Sequence, residues 1–213
     1  MMIGICLVIG YLFGCIETGY IVGKLNHVDI RNYGSGNSGT TNALRTLGVK
    51  AGAVTFLGDI LKAVIACLFV RFLLYPDLAS TQLLTLYTGL GVVLGHNYPI
   101  WLKGKGGKGI AATGGVMIAF DLRMVPIALA IFLIAVALTR FVSLGSLLVS
   151  IFFPIWVAIM YPGNYHMLII SLVFTLSAFI KHRANINRLL HGTENKIGQR
   201  VKVQDEVHKM KEV

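Results

Sequence analysis

The chain has 213 residues, of which 55% are hydrophobic and only 13% are charged, and its mean hydropathy is +0.74. In a typical soluble domain about a quarter of the residues are charged. A soluble fold of this length could not cover so much apolar surface with so few polar side chains. The composition therefore excludes a disordered chain and a water-soluble enzyme, and it predicts an integral membrane protein.

The net charge of +10 arises from 19 Lys and Arg residues against 9 Asp and Glu residues. In a membrane protein such an excess orients the chain and attracts anionic lipid. A site for an anionic substrate has the same requirement. Composition does not separate these two interpretations, so the positions of the charges have to decide between them.

Seven apolar segments follow one another along the chain and predict an all-α transmembrane bundle. A helix needs about 20 apolar residues to cross the hydrocarbon core of a bilayer. Because the fourth segment is short, residues 109–139 could form two short tilted helices or one re-entrant hairpin. The segments lie at 2–23, 51–75, 83–101, 109–122, 124–139, 141–160 and 166–181.

Lys and Arg are distributed unevenly between the segments that connect these spans. With the N-terminus outside, 16 of the 19 basic residues fall in the inner segments 24–50, 102–108, 140 and 181–213. The positive-inside rule therefore predicts an outer N-terminus and a cytoplasmic C-terminus. We expect one transmembrane domain over 1–198 and a basic cytoplasmic tail over 199–213.

Three of the inner stretches are dense in glycine, hydroxyl, amide and basic side chains. They read GSGNSGTTNALRTLG at 34–48, GHNYPIWLKGKGGKGIAAT at 95–113 and HRANINRLLHGTENKI at 182–197. Glycine-rich backbone can turn consecutive N–H groups toward one anion, and Arg45, Lys105 and Lys108 add full charges. One such loop could be a flexible turn with orienting charges. Three at one membrane face predict an anion site.

Other chemistries find less support in these residues. No Walker A sequence occurs, so a nucleotide-driven pump is unsupported. The histidines lack a paired metal-ligand spacing, and we expect neither a metal nor another cofactor. Asp59 and Lys62 lie three residues apart on one helical face, so we expect them to neutralise each other and support the site. Glu17, in the first span, receives no role.

In order, spacing and content the three motifs resemble those of the acyl-phosphate:glycerol-3-phosphate acyltransferases, the PlsY-type bacterial membrane enzymes. The resemblance implies seven spans, the bacterial inner (plasma) membrane and a cytoplasmic active site. It implies transfer of a fatty acyl group from acyl phosphate to the 1-position of sn-glycerol 3-phosphate. The products would be lysophosphatidic acid and phosphate, in the first acylation of phospholipid synthesis. The implied partners are both substrates, membrane lipid and an upstream enzyme that makes acyl phosphate, without nucleic acid.

The resemblance also implies roles for individual residues. It assigns catalysis to Ser35 and His182, and a supporting role to His96 and Glu194. The chain reads Cys15, Ile16 and Glu17 where the family usually has Ser-Ile-Pro, a departure that does not touch the motifs. Substrate and phosphate binding is expected from Gly34, Gly36, Asn37, Gly39, Thr41, Asn42, Arg45, Lys105, Gly106, Gly107, Lys108, Gly109, Asn185 and Arg188.

Two mechanisms and a second class of function remain open. Acyl phosphate is already activated, so the glycerol hydroxyl can attack the acyl carbon directly while Ser35 and His182 hold the geometry. In the alternative, Ser35 is the nucleophile and His182 its base. Acyl-CoA is disfavoured as the donor because no histidine has an aspartate at five residues' distance, as acyl-CoA-dependent enzymes typically do. A transporter for a phosphorylated solute would share the cationic loops, but it would need polar residues through the spans.

Overall fold

A computed structural model of the protein describes residues 1–75 and 80–199. Ten α-helices account for most of this part of the chain, and no β-strand occurs within it, which confirms the all-α prediction. The predicted tail, apart from Gln199, and most of the predicted outer connection from 76 to 82 lie outside the described residues. The helices are α1 (Met2–Gly14), α2 (Thr18–Leu25), α3 (Thr40–Leu47), α4 (Val49–Leu68), α5 (Thr81–Asn97), α6 (Ile110–Phe120), α7 (Val125–Thr139), α8 (Val142–Met160), α9 (Tyr165–Lys181) and α10 (Arg183–Leu190).

Every predicted apolar segment lies on a helix, but not every helix is long enough to cross a bilayer. Among the described residues four helical stretches are long and apolar enough, some of which join a helix to the short helical turns next to it: Met2–Leu25, Val49–Leu74, Leu122–Thr139 and Val142–Met160. A fifth candidate is the pair α9 and α10, which is bent by 64°. Helix α6 is apolar but only roughly 16 Å long at 1.5 Å per residue. Seven spans and the direction of the chain therefore stay predictions.

Helices α6 and α7 do not pair along their length as the two arms of a closed hairpin would. Helix α6 packs mainly against α4 and α5, whereas α7 packs against α8. Asp121 fixes the turn between them, because it accepts hydrogen bonds from Arg123, Trp156 and Tyr161. These two helices are thus separate elements, joined by a turn that is fastened to α8.

The most extensive contact between two helices is that of α1 with α5. A Cβ atom at Gly10 would lie 2.0 Å from the Thr88 carbonyl oxygen, and one at Gly91 would lie 2.3 Å from the Leu7 carbonyl oxygen. Small residues that let backbones approach in this way are typical of helix contacts in membranes. On the outside, large apolar side chains such as Leu138 are exposed, as expected of a surface that faces lipid.

Candidate active site

An open cleft of about 850 Å³ lies at one end of the bundle, and all three motifs contribute to its walls. A cavity of this size falls in the range of small-molecule sites. No carboxylate lines it among the residues that the structure describes, so its potential is strongly positive. Its basic lining residues are Arg31, Lys103, Lys105, Lys108, Lys181, Arg183 and Arg188.

The first motif forms a loop before α3 that Asn42 fastens from inside. The Asn42 Oδ1 accepts the Ser35 N–H at 2.9 Å, and its Nδ2 donates to the carbonyl oxygens of Ile30 at 2.7 Å and Tyr33 at 3.1 Å. These bonds hold Ser35 exposed at the cleft. Asn42 itself is buried and does not line the cleft, and its amide is bonded to three backbone groups of this loop.

The second motif folds back over the end of α5. Gly104 has a φ of +72°, a conformation that glycine adopts without steric cost and that helps to reverse the chain here. The Gly107 N–H donates to the His96 carbonyl oxygen at 2.9 Å. From the first motif, Asn37 Nδ2 donates to the Gly106 carbonyl oxygen at 3.2 Å. The first two motifs are therefore joined directly at the cleft wall.

The third motif positions its polar groups through a buried carboxylate. Glu194 Oε1 accepts hydrogen bonds from Asn185 Nδ2 at 2.7 Å and Ser143 Oγ at 3.0 Å, and its Oε2 accepts one from Arg188 Nε at 2.8 Å. Asn185 Oδ1 in turn accepts a hydrogen bond from Lys108 Nζ at 2.5 Å. Glu194 is buried and does not line the cleft, so it can orient these groups without placing its own negative charge in the cleft wall.

The surroundings of Lys108 disfavour its charged form. Burial lowers the pKa of Lys108 to about 8 from the ordinary value of 10.5, Glu194 opposes this, and Arg188 and Arg45 reinforce it. Burial also lowers the pKa of Arg45, whose guanidinium donates to the Asn195 carbonyl oxygen outside the cleft. A bound anion would favour the charged form of Lys108, so this lysine is poised to respond to a phosphate.

His182 lies at the junction of α9 and α10, buried and outside the cleft lining. Its Nδ1 is 2.8 Å from the Ala178 carbonyl oxygen and must carry the proton there, since a carbonyl only accepts. Burial and the nearby Lys108 ammonium lower the pKa of His182 to about 4. In residues 1–75 and 80–199 no hydrogen bond joins it to Ser35. A neutral histidine of this kind is a weak general base near neutral pH.

The predicted site residues divide into two groups. Those that line the cleft are Ser35, Gly36, Asn37, Lys105, Gly106, Lys108, Asn185 and Arg188. Those that lie outside its lining are Gly34, Gly39, Thr41, Asn42, Arg45, His96, Gly107, Gly109, His182 and Glu194. Many residues of the second group shape or support the loops. A loop motif contains both the residues that face the cleft and the buried residues that hold the loop in place.

Four further basic residues line the cleft although they are not among the predicted site residues, namely Arg31, Lys103, Lys181 and Arg183. From the sequence they are predicted only as charges that orient the chain. A usable signal was their position, because Lys181 and Arg183 flank His182 and Arg31 lies just before the first motif. Arg31 is held by a hydrogen-bonded ion pair with Asp29 at 2.7 Å, which keeps the pKa of that carboxyl below its ordinary value.

Comparison with protein families agrees with this arrangement of motifs. Residues 4–192 match the family described as glycerol-3-phosphate acyltransferase. The chain is 45% identical over 197 residues to the glycerol-3-phosphate acyltransferase of Thermoanaerobacter pseudethanolicus, and 47% identical over 197 residues to that of Clostridioides difficile; each alignment covers 92% of this chain and 96% of the relative. The Bacillus subtilis protein of the same name is 42% identical over 198 residues, covering 92% of this chain and 98% of the relative.

Two solved structures share the fold. The crystal structure of PlsY (YgiH), an integral membrane glycerol 3-phosphate acyltransferase, in its glycerol 3-phosphate form superposes with a TM-score of 0.83 at 35% sequence identity, covering 93% of this chain and 96% of that one. Its lysophosphatidic acid form gives a TM-score of 0.81 at 34% identity, covering 93% and 97% of the two chains. The likeness therefore extends over almost the whole chain.

Proposed function

The chain belongs to the glycerol-3-phosphate acyltransferase family, and we propose that it transfers a fatty acyl group from acyl phosphate to the 1-hydroxyl of sn-glycerol 3-phosphate. The products are lysophosphatidic acid and inorganic phosphate. The protein is an integral membrane enzyme of phospholipid synthesis. We place it in the bacterial plasma membrane with its cleft facing the cytoplasm, where an upstream enzyme supplies acyl phosphate.

The observation that carries this proposal is the lining of the cleft. Both substrates are phosphate-bearing anions, and two anions repel each other when they are brought together. A wall of basic side chains, with no carboxylate between them in the part of the chain that the structure describes, offsets this repulsion, more strongly where water is partly excluded. Acyl phosphate carries its phosphate directly on the reacting carbonyl, whereas a coenzyme A thioester does not, so a cleft lined by seven basic side chains supports acyl phosphate as the donor.

In the mechanism that we propose, the glycerol oxygen attacks the acyl carbonyl carbon directly. The new ester C–O bond forms as the bond between the acyl carbon and the phosphate oxygen breaks, and the hydroxyl proton passes to a phosphate oxygen. Basic side chains such as Lys108 and Arg188 hold the two phosphates and stabilise the charge on the leaving group. The protein then contributes orientation and charge rather than a covalent intermediate.

The donor is tested with purified protein in lipid nanodiscs, palmitoyl phosphate and labelled glycerol 3-phosphate. We expect labelled 1-acyl lysophosphatidic acid without added metal or coenzyme A, and none when palmitoyl-CoA replaces palmitoyl phosphate. Lys108→Ala should lower kcat/KM by about 100-fold, because it removes a cation from the site. The matched control Lys50→Ala, exposed on α4 outside the cleft, should leave it unchanged.

Two outcomes would contradict the proposal. Turnover with palmitoyl-CoA alone would assign a different donor. Counterflow of glycerol 3-phosphate in liposomes, without any acylation, would assign the competing function of a transporter.

The route of the acyl group is tested at Ser35, the exposed hydroxyl in the cleft. Direct transfer predicts that rapid quenching of a single turnover with labelled palmitoyl phosphate traps no acyl-protein. Ser35→Ala should then keep measurable turnover, with its loss seen mainly in KM. A label on Ser35 that forms and decays as fast as the product appears would establish the acyl-enzyme route instead.

A further inference from the structure

Four ionisable side chains are buried together beside the cleft, and none of them lines it. They are Glu17 at the break between α1 and α2, Asp59 and Lys62 on α4, and His96 near the end of α5. Each exposes 5% or less of its surface. Buried charges cost free energy unless they are paired, and within membrane segments they commonly serve function. The acyl transfer proposed above does not use any of the four.

Lys62 secures the break in the first predicted span. Its Nζ donates to the carbonyl oxygens of Gly14 at 3.1 Å and Ile16 at 2.6 Å, which lie where α1 ends. Carbonyls at a helix end lack partners within the helix. The same Nζ lies 3.0 Å from Asp59 Oδ1, which confirms the ion pair that the sequence predicts. Lys62 thereby fixes the position of the backbone that carries Glu17.

Glu17 connects this buried cluster with the first motif. Its Oε2 accepts a hydrogen bond from Ser38 Oγ at 2.5 Å, and its Oε1 lies 3.0 Å from His96 Nδ1 and 3.9 Å from Lys62 Nζ. Ser38 is fully buried three residues after Ser35. Displacing the Glu17 carboxylate would therefore loosen the loop that presents Ser35, which the three Asn42 hydrogen bonds also hold.

His96 extends the connection to the second motif. Its carbonyl oxygen accepts the Gly107 N–H at 2.9 Å. Its imidazole lies so close to Gly107 that a Cβ atom there would come within 1.9 Å of Nε2. The imidazole ring therefore packs directly against the glycine loop that carries Lys105 and Lys108.

The geometry points to Glu17 as a positioning residue, whose carboxylate holds the Ser35 loop and the Lys105–Lys108 loop at a fixed separation across the cleft. It acts through its hydrogen bond with Ser38 and through its 3.0 Å contact with His96, whose Nδ1 also lies 2.9 Å from Lys62 Nζ, and it does not line the cleft. A shift of about 1 Å in groups that hold reacting substrates can cost up to 100-fold in rate.

The link is tested with Glu17→Gln, Ser38→Ala and the double variant, because Gln keeps the size of Glu and removes its charge. Hydrogen exchange of residues 34–39 and 104–109 is measured with steady-state kinetics. We expect faster exchange in both loops and a KM for glycerol 3-phosphate raised about tenfold, with a smaller change in kcat. If Glu17 and Ser38 act through one contact, the double variant should be within about twofold of Glu17→Gln.

Asp121→Asn is the matched control, because Asp121 is also a buried carboxylate with several donors but lies outside the cleft. It should lower the thermal midpoint without altering exchange in the two loops or KM. Unchanged loop exchange in Glu17→Gln, or effects of Glu17→Gln and Ser38→Ala that multiply, would overturn the inference. If Glu17→Gln fails to fold, Ser38→Ala alone decides, since it keeps all four ionisable side chains and must still loosen the Ser35 loop.

The inference rests on the proposed function only for its kinetic readout. If the unaltered protein makes no lysophosphatidic acid, the proposed function fails, while the exchange experiment still decides whether Glu17 fixes the two loops.

Discussion

Lys108 lines the cleft, takes part in a chain of hydrogen bonds and has a lowered pKa. Its ammonium hydrogen-bonds to Asn185, which hydrogen-bonds in turn to the buried Glu194. Burial nevertheless lowers the pKa of Lys108 to about 8. The side chain is therefore a cation whose charge depends on the pH of the assay.

This pKa predicts an alkaline limit to activity. A lysine whose pKa is lowered loses its proton at a lower pH than a solvated lysine does, so Lys108 should be roughly 90% charged at pH 7 and roughly 10% at pH 9. We expect kcat/KM for glycerol 3-phosphate to fall as pH rises through about 8. Lys108→Arg should move that fall to higher pH, since arginine stays charged.

The measurement is a pH profile of initial rates between pH 6.5 and pH 9.5, with spontaneous hydrolysis of acyl phosphate subtracted. Lys50→Arg, outside the cleft, is the control. An identical fall in the Lys108→Arg variant would show that another group titrates.

Residue types alone could not separate ligands from loop builders in the first motif. Asn37 and Asn42 offer the same amide, and the sequence predicts both as substrate-binding. Asn37 lines the cleft, whereas the side-chain amide of Asn42 forms hydrogen bonds with three backbone groups inside the loop. The difference arises from which way the chain turns between them, and that depends on contacts with residues outside the motif.

At the level of elements, the contact between α1 and α5 sets the position of the second motif, because α5 leads directly into it. This contact depends on glycines that let the two backbones approach. Lipid does not drive apolar helices together as water would, so such a contact relies on close fit.

Two glycine substitutions test this contact. Gly91→Ala should lower the free energy of unfolding by about 2 kcal/mol, because its new Cβ would meet the Leu7 carbonyl oxygen, which belongs to a helix backbone and cannot move aside. Gly4→Ala, on α1 where a Cβ would meet nothing within 4 Å, should be neutral or stabilise by about 0.5 kcal/mol.

Thermal or denaturant unfolding in the same detergent measures both variants. Equal stability of Gly91→Ala and the parent protein would show that the two helices do not pack as closely as described.

For the whole molecule, the direction of the chain across the membrane decides which compartment the cleft faces. The bias of Lys and Arg predicts an outer connection between α8 and α9 and a cytoplasmic end of α10. Tyr165 and Leu190 mark these two places, and their side chains are 74% and 80% exposed. All three native cysteines are buried, so the parent protein should label weakly.

A thiol reagent that does not cross membranes tests this direction in intact cells. Tyr165→Cys should react from outside, whereas Leu190→Cys should react only after permeabilisation. Labelling of Leu190→Cys in intact cells would place the cleft on the outer face and contradict the proposed function. Lys50→Cys, predicted on the cytoplasmic side, provides a second site for the same comparison.

The sequence by itself determined the class of the molecule and the location of its chemistry. An apolar segment avoids water, and inside a bilayer its backbone must satisfy its own hydrogen bonds by forming a helix. Both requirements depend on local composition, so they can be predicted from the sequence. The predicted segments therefore fell on helices, and the three motifs supply walls of one cleft. Their lengths and glycine patterns also carried the resemblance to the family to which the chain belongs.

Only the tertiary structure decided what each polar residue contacts. The roles of Glu17 and His96, the burial of His182 and the place of Arg31 in the cleft all depend on groups that are distant in the chain. Glu17 meets Ser38 and His96 because three helix ends converge there, and no spacing within the sequence encodes that meeting. The composition shows an excess of positive charge but not its location. The fold brings seven of the basic side chains together around one cleft.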